Sequence, residues 1–516
     1  MKRVTGWVGV ALLWLCSVMA LAQGGSPKMI GMYVHQHWPY KRPYAARTWT
    51  LEDWRGYTTG LKALGFNTIL MWPMLETVPE PLMPSDKANL EKLSRVIDML
   101  HNEQGMRVYI VICPNIVARQ TEARKATFQK RHYYYCEDLV NPADPVAMQK
   151  MIAWREKLVQ PLKNVDGVAI IDSDPGGYPN STIAEFVNLL GEHRKMLNRV
   201  RPGIELLYWM HAGWRGWGRL YEKGKLDLGK PAEYEETLQR LMALNPEPWG
   251  MANGLEYARK QGVAERVISF NYGRIEGEPS FPCTNFTGAN AYEGAKSDAP
   301  RGVMGNAQTH CVQLPNTFAF ARGAQGLPLS NEEYVTFADR LITGQGATIA
   351  EAWNLLNSSD AKAQRDMAAK LDGVSRRKLQ TGDLQGLLFG SAKRFLTDIA
   401  MMLRYKAAIA ELADAVKSGA AVKSALKRLI EDGGAWQARH GYENNWYEPR
   451  MLEALHKIGS PSLREALAVT YEVQHPVKSG ETAFEEIRQN FARIETYTPR
   501  LLAAMRKTLE EMEAKE

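Results

Sequence analysis

The sequence predicts an α/β protein: a (β/α)8 TIM barrel followed by an all-helical C-terminal region. Three observations lead to this prediction. Short β-type runs alternate with amphipathic helical runs as far as about residue 325, polar residues and tryptophans follow the ends of these runs, and strand signals nearly vanish beyond residue 330. Seven or eight βα units in succession are typical of a closed parallel barrel, in which a helix follows each strand on the outside.

The strands are predicted from short runs rich in β-branched and aromatic residues. They cover residues 29–35, 66–72, 106–113, 168–172, 204–210 and 267–272, then a seventh near 283–288 and an eighth at 302–308. The helices between them cover 51–64, 87–102, 145–162, 182–200, 232–244 with 254–261, and 314–325. An open doubly wound sheet is the alternative, but His35-Gln-His-Trp-Pro39 stands where such a sheet carries a glycine-rich phosphate loop.

The C-terminal region shows the apolar periodicity of helices. The predicted helices cover 332–341, 349–356, 361–369, 384–418, 421–430, 450–456, 462–471 and 483–515. We therefore divide the chain into a signal peptide at 1–22, a catalytic barrel at 23–328 and a helical domain at 329–516.

The N-terminus has the pattern of a secretory signal peptide. Lys2 and Arg3 precede the apolar run 8–18, and Ala20-Leu-Ala22 offers a cleavage site between small residues. The apolar core is too short to span a bilayer, and no later stretch is long and apolar enough to do so. The chain is expected to be exported to the periplasm or the extracellular space, with no membrane span.

The charge and the cysteine spacing do not indicate a nucleic-acid-binding protein or a zinc protein. Removing Lys2 and Arg3 lowers the formal charge from +7 to +5, because no acidic residue lies in the first 22, and no basic cluster predicts a nucleic-acid partner. Four cysteines remain, at Cys113, Cys136, Cys283 and Cys311. Their spacing fits no zinc motif, and in an oxidising compartment they allow up to two disulfides in three pairings, among which the sequence does not choose.

A pair of carboxylates follows the fourth predicted strand. Asp172 and Asp174 end a short apolar run and precede Pro175-Gly-Gly177. Residues i and i+2 of a strand face the same side, so both acids are expected to look into one cavity. Two carboxylates that lie close together cannot both ionise cheaply, so one pKa is raised and a proton donor is kept beside a charged base. The alternative is a strand-end pair that caps the next helix or binds calcium.

Polar groups and tryptophans concentrate at the predicted carboxyl ends of the strands, where a barrel carries its active site. The candidate substrate-binding residues are His35, His37, Trp72, Asn115, Trp209, His211, Tyr272 and Asn306, and Glu276 joins Asp172 and Asp174 as a catalytic candidate. Aromatic faces stack on the C–H surfaces of pyranose rings, while amides, imidazoles and carboxylates bind hydroxyls. The sequence therefore predicts a carbohydrate or glycoconjugate substrate and no cofactor.

Three features are similar to those of known glycoside hydrolase barrels. The run 64–72 looks like the second strand of many such barrels, and the Asp172-x-Asp174 pair resembles the acid pairs of the hexosaminidase-type barrels, which include chitinases, β-hexosaminidases and O-GlcNAcases. Gly305-Asn306 before a helix, followed by a helical tail, is similar to the O-GlcNAcase layout. The pattern departs from the family because the acids are not adjacent and the second is Asp rather than Glu. The resemblance implies substrate-assisted cleavage of an N-acetylhexosaminide, with Asp174 as general acid, Asp172 orienting the acetamide, and Tyr272 and Asn306 contacting the sugar.

Three alternatives stay open from the residues. An ordinary retaining or inverting glycosidase would pair Asp174 with Glu276 or Glu278. A metal-dependent hydrolase would use His35-x-His37 and His211, although Asn271 and Tyr272 stand where that class expects a further histidine. A barrel that binds carbohydrate without catalysis would use the same tryptophans.

Overall fold

The chain is described by a computed structural model that covers residues 28–36, 41–133, 136–223, 227–276, 286, 288–440, 449–468 and 497–514. The predicted signal peptide at 1–22, His37, Glu278 and Cys283 lie outside these residues. Among the helices that are described, none combines the length and the apolar composition that a bilayer span requires.

Eight parallel strands close into a barrel, which confirms the predicted fold class. The strands are β1 (Met29–His35), β2 (Thr68–Trp72), β3 (Arg107–Ile112), β4 (Gly167–Ile171), β5 (Glu205–Trp209), β6 (Trp249–Ala252), β7 (Val267–Asn271) and β8 (Gly302–Ala307). They follow one another around the barrel in chain order, and β8 pairs with β1 to close it. Their runs are almost wholly buried because one face fills the barrel and the other packs under the surrounding helices.

The sequence prediction missed strand β6. Trp249–Ala252 is only four residues long, follows Pro248 and contains Gly250, so it lacks the β-branched run that marks the other strands. The predicted sixth strand is therefore β7, which pairs directly with β8. Most of the predicted seventh strand near 283–288 lies outside the described residues, and the barrel closes without it. A small antiparallel hairpin, Ile116–Ala118 with Glu137–Leu139, was also missed.

In the described part of the barrel, nine α-helices of six or more residues lie between the strands or directly after the last strand. They are α1 (Leu51–Ala63), α2 (Pro84–Asn102), α3 (Pro145–Val159), α4 (Ile183–Val200), α5 (Trp214–Lys223), α6 (Pro231–Leu244), α7 (Leu255–Lys260), α8 (Ala289–Gly294) and α9 (Leu314–Ala324). Helix α1 begins at a capping box in which Thr50 and Asp53 exchange hydrogen bonds, and Thr182 and Glu185 do the same for α4.

The C-terminal region is helical, as predicted. Its described helices are α10 (Asn331–Leu341), α11 (Gly346–Leu355), α12 (Ala361–Ser375), α13 (Ala392–Ser418), α14 (Val422–His440), α15 (Pro449–Ile458), α16 (Pro461–Leu467) and α17 (Tyr497–Glu513). Helix α13 begins at Ala392 and not near residue 384 as predicted, because Phe389 and Gly390 adopt left-handed backbone conformations with φ of 51° and 74°.

The helical region packs closely against α1 of the barrel. A Cβ built on Gly56 would lie 3.3 Å from the Cα of Gly386, and one built on Gly60 would overlap the side chain of Leu387. Glycine at these two positions therefore lets the two parts of the chain approach at main-chain distance. Phe389 continues the contact, because its ring stacks 5.5 Å from that of Tyr57 on α1.

A partly buried ion pair lies at the N-terminal end of the barrel. Arg301, just before β8, binds both carboxylate oxygens of Glu205 on β5 at 2.7 and 2.9 Å, and Tyr109 on β3 donates a hydrogen bond to the same carboxylate. With this end occupied, substrate access is left to the opposite end, where the carboxyl ends of the strands meet.

Two of the cysteines considered for disulfides are buried thiols. Cys113 and Cys311 form no disulfide in the described part of the chain. The Cys113 Sγ lies 3.4 Å from the Tyr133 hydroxyl, and burial raises the pKa of the Cys311 thiol to about 12. Both thiols are therefore held as small, uncharged core groups.

Candidate active site

Three aromatic rings form the floor of the barrel mouth. Tyr33 of β1 packs edge-on against Trp209 of β5 at 5.6 Å and against Phe270 of β7 at 5.5 Å, while Trp209 and Phe270 lie 4.3 Å apart. The indole Nε1–H of Trp209 is buried and finds no acceptor among the described residues. A buried donor left unpaired costs about 1 to 3 kcal/mol, so a ligand acceptor that reached this N–H would be stabilised by it.

His35 and Trp72 extend this floor along the ends of β1 and β2. The His35 ring lies 5.2 Å from Tyr33 and 5.1 Å from Trp72, both edge-on. Burial lowers the pKa of His35 to about 3, although the charge of Asp174 opposes that shift. His35 is therefore a neutral imidazole within electrostatic reach of Asp174, suited to hydrogen bonding rather than to proton donation.

Asp172 lies under the surface at the junction of β4 and β5. It is fully buried, and its two oxygens accept four hydrogen bonds at 3.1 Å: from the Tyr208 and Ser173 hydroxyls and from the main-chain N–H groups of His211 and Gly213. Burial raises the pKa of Asp172, while His211 and the donors oppose the rise. The carboxylate is thus committed to holding the loop after β5, and a direct contact with an acetamide would require one of these donors to leave.

Asp174, unlike Asp172, is exposed. Its side chain is 47% exposed, and its Oδ2 lies 3.4 Å from Nε2 of His211. The expectation that both acids look into one cavity fails here because the strand ends at Ile171 and Asp174 has a φ of 106°, which turns the chain out of the alternating pattern. One acid therefore supports the loop from below, and the other is presented at the mouth.

His211 is held by both acids. Asp172 accepts its main-chain N–H, Asp174 pairs with its ring, and Tyr234 donates to its carbonyl oxygen at 3.1 Å. Burial alone lowers the pKa of the imidazole, but the interaction with Asp174 and the charges of Asp174 and Asp172 outweigh burial, so the pKa lies above its ordinary value of 6.5. His211 therefore stays protonated to a higher pH than a free histidine does.

We expect the pKa of His211 to fall when Asp174 is replaced by Asn, because burial then acts with less opposition. A folded-state pKa raised above the unfolded value contributes stability that is fully present below about pH 6.5 and is lost as the pH rises through the folded pKa. The ring nitrogen resonances of isotopically labelled histidine, titrated in the wild type and in Asp174→Asn, measure this directly. An unchanged titration in the variant would show that the two side chains do not interact.

Asn115 and Asn306 lie at strand ends, as predicted, but both brace loops. The Asn115 amide donates to the carbonyl oxygens of Val140 and Gly177 at 2.9 and 2.8 Å, so it joins the hairpin to the loop that follows Asp174. Asn306 accepts from the main chain of Gly273 and donates to the carbonyl oxygen of Glu276. Both side chains are fully buried, and contact with a sugar would require these bonds to break.

Glu276 is likewise engaged by the protein. The main-chain N–H groups of Gln308 and Thr309 donate to its Oε2 at 2.6 and 2.8 Å, and the Thr309 hydroxyl donates to its Oε1. Burial raises its pKa to about 7 against the effect of these donors. Its contacts join the loops after β7 and β8. Tyr272, by contrast, is 43% exposed beside this loop.

The sequence prediction overlooked Tyr33 and Phe270 of the aromatic floor and Tyr208 beside Asp172. Tyr33 lies two residues before His35, so the period of two along β1 places it on the same face, and that spacing could have revealed it. Tyr208 donates the hydroxyl that holds Asp172. No local signal marks Tyr208, because its role depends on the neighbouring strand β4.

A cavity of about 450 Å³ adjoins the loop that follows Asp174. It is lined by Asn141, Ala143, Tyr178, Pro179, Asn180, Ser181 and Glu185.

Across the described residues, no group of three or more histidine, cysteine, aspartate or glutamate side chains has the geometry to hold a metal ion.

The sequence matches no protein-family model and no curated protein sequence. Solved structures with a similar fold include a family 138 glycoside hydrolase that targets the pectin rhamnogalacturonan II, at 10% identity and a TM-score of 0.45 over 95% of this chain and 70% of that one. A family 89 glycoside hydrolase from Clostridium perfringens has 11% identity and a TM-score of 0.47, over 93% of this chain and 64% of its own. An O-GlcNAc hydrolase from Thermobaculum terrenum has 10% identity and a TM-score of 0.40, over 95% and 97%. These likenesses concern the fold.

Proposed function

We propose that this protein is an exported glycoside hydrolase in which Asp174 is the general acid. The observation that carries the proposal is the Asp174–His211 pair, which presents a half-exposed carboxylate at the C-terminal mouth of the barrel. Beside it lie the neutral imidazole of His35 and an aromatic floor with an unpartnered N–H on Trp209. An ionisable group above aromatic rings suits the protonation of a glycosidic oxygen over a stacked sugar.

The preferred substrate is an N-acetylhexosaminide, cleaved with the help of its own acetamide. Asp174 donates a proton to the glycosidic oxygen as the bond from that oxygen to C1 breaks, and the acetamide oxygen bonds to C1 to give a cyclic oxazolinium ion that keeps the acetamide N–H. The Asp174 carboxylate then takes a proton from water as the water oxygen attacks C1 and the bond from C1 to the acetamide oxygen breaks, which restores the acid and releases the free sugar. In this scheme His211 holds Asp174, and the Trp209 N–H is the donor offered to the sugar.

Asp172 takes an indirect role in the same scheme. Because four donors already occupy its oxygens, it supports the reaction by fixing the main chain of His211 and Gly213. His211 in turn holds Asp174 in position. This replaces the direct acetamide contact that the sequence resemblance implied for Asp172.

A panel of aryl glycosides tests the proposal, offered to the purified protein with and without EDTA. The panel contains the N-acetylglucosaminide, N-acetylgalactosaminide, glucuronide and galactoside. Cleavage of an N-acetyl sugar that EDTA does not affect is the expected result. Cleavage confined to sugars without the acetamide would exclude substrate assistance and favour a second carboxylate. Activity abolished by EDTA would favour the metal-dependent alternative, and a folded protein that binds these sugars without cleaving them would favour the binding protein.

A further inference from the structure

A buried carboxylate in the helical region contacts the segment that follows β1 of the barrel. Asp398 of α13 is 2% exposed, and the Tyr44 hydroxyl donates to its Oδ2 at 2.7 Å across 354 residues of sequence. Arg439, near the end of α14, donates to Oδ1 at 2.5 Å, and Nε2 of His440 lies 3.7 Å from the same oxygen. One carboxylate thus joins two helices of the C-terminal region to one residue of the barrel.

The contact around Asp398 is reinforced by main-chain bonds and by ring packing. The N–H of Lys41 donates to the carbonyl oxygen of His440 at 3.0 Å, and the Lys41 ammonium donates to that of Ala438 at 2.8 Å. The rings of Tyr44 and His440 lie edge-on at 4.5 Å, and the ring of Trp436 lies 3.9 Å from that of His440. The end of α14 therefore holds the chain at residues 41–44 by several independent interactions.

The same segment leads directly to the barrel mouth. Arg47, three residues after Tyr44, is fully buried, and its Nε donates to the carbonyl oxygen of Gln36 at 2.9 Å. Its Nη1 donates to the carbonyl oxygens of Arg131 and Phe128, which belong to the region after β3. Gln36 directly follows His35 in the chain, so Arg47 binds the main chain next to the His35 imidazole.

We propose that Asp398 is a positioning residue for the active site, which holds His35 in place through Tyr44, the segment 41–47 and Arg47. This inference rests on the proposed function for its effect on catalysis. The helical region thereby takes part in the reaction, because the Asp398 carboxylate holds one wall of the active site without contacting the substrate. The physical basis is that a buried charged group with several partners is costly to leave half-paired, so it restrains every group bound to it.

The experiment compares three single variants of the full chain and the double variant that combines Tyr44→Phe with Asp398→Asn. Tyr44→Phe removes one hydroxyl from the contact, Asp398→Asn removes the charge, and Asp383→Asn is the matched control, since Asp383 forms an exposed ion pair with Arg340 in the same helical region. Hydrogen exchange of peptides covering 29–36 and 41–50 reports how firmly β1 and the segment after it are held. The values of kcat and KM on the best aryl glycoside report the reaction. Thermal unfolding shows how much of each variant is folded at the assay temperature.

We expect faster exchange in both peptides and a kcat at least roughly tenfold lower in Asp398→Asn, with a smaller effect of the same kind in Tyr44→Phe and none in the control. The double variant should lose no more than Asp398→Asn alone, because the two side chains act through one contact. Unchanged exchange at 29–36 would overturn the inference, and so would faster exchange with unchanged kcat and KM. If the wild type cleaves no glycoside, the proposed function fails, while exchange at 29–36 still decides whether Asp398 positions the end of β1.

Discussion

Replacing Asp174 by Asn should lower kcat for a methylumbelliferyl glycoside about a hundredfold or more while leaving the protein as stable as the wild type. The loss follows from removal of the proton donor, whose contribution in general acid catalysis is typically about 10² to 10⁴. Stability should hold because the side chain is 47% exposed and its contact with His211 is a 3.4 Å pair at the surface of the mouth. Steady-state kinetics and thermal unfolding of the two proteins measure both parts of this prediction.

The leaving group provides the control for that experiment. Dinitrophenolate is a stable anion, so it leaves a glycoside without needing a proton from an acid. Asp174→Asn should therefore lose much less activity on a dinitrophenyl glycoside than on the methylumbelliferyl compound. Asp298→Asn is the matched control variant. Asp298 is an exposed aspartate that pairs with Arg259, and it lies just before β8, at the end of the barrel opposite the mouth. An equal loss on both substrates would show that Asp174 does not act as the acid, and it would return attention to Glu276 or Glu278.

Replacing Asp172 by Ala should destabilise the fold by about 3 kcal/mol or more, because each buried donor that loses its acceptor costs about 1 to 3 kcal/mol. The change leaves the main-chain N–H groups of His211 and Gly213 and the Tyr208 hydroxyl without their acceptor in a buried place. Urea denaturation monitored by tryptophan fluorescence gives the free energy of unfolding. Activity should fall as well, since the loop that carries His211 loses its anchor.

Tyr208→Phe calibrates this second prediction. It removes one of the four donors to Asp172 and leaves the carboxylate in place, so about 1 kcal/mol is the expected loss. A loss for Asp172→Ala that is no larger than the loss for Tyr208→Phe would mean that the carboxylate does not hold the loop. In that case Asp172 would be free for a direct role at the substrate.

Most of the barrel could be predicted because its strands are local patterns. Seven of the eight observed strands overlap a predicted run, although the run assigned as sixth is β7. The exception, Trp249–Ala252, takes its extended conformation from pairing with β5 and β7 rather than from its own composition. The start of α13 was misplaced for a related reason: the periodic pattern continues through Phe389 and Gly390, where the backbone turns left-handed.

The candidate site was predicted in location but not in detail. Reading the strand ends placed His35, Trp72, Trp209 and His211 at one mouth, and the structure brings them there. The sequence could not show that the side chains of Asn115, Asn306 and Glu276 are bonded to loops, since their partners are main-chain groups of other segments. His37 lies outside the described residues and remains a prediction.

By itself, the sequence determined the alternation of strands and helices, the carboxyl ends at which polar residues gather, and the helical character of the C-terminal region. Each of these depends on residues within one or two turns of the chain. Only the tertiary structure decided which polar groups are free to act. Asp172 and Asp174 are two residues apart, yet one is enclosed by donors from β5 and its loop and the other stands half-exposed beside His211. The reason is physical: a buried polar group is committed by the donors that surround it, and those donors come from segments remote in sequence.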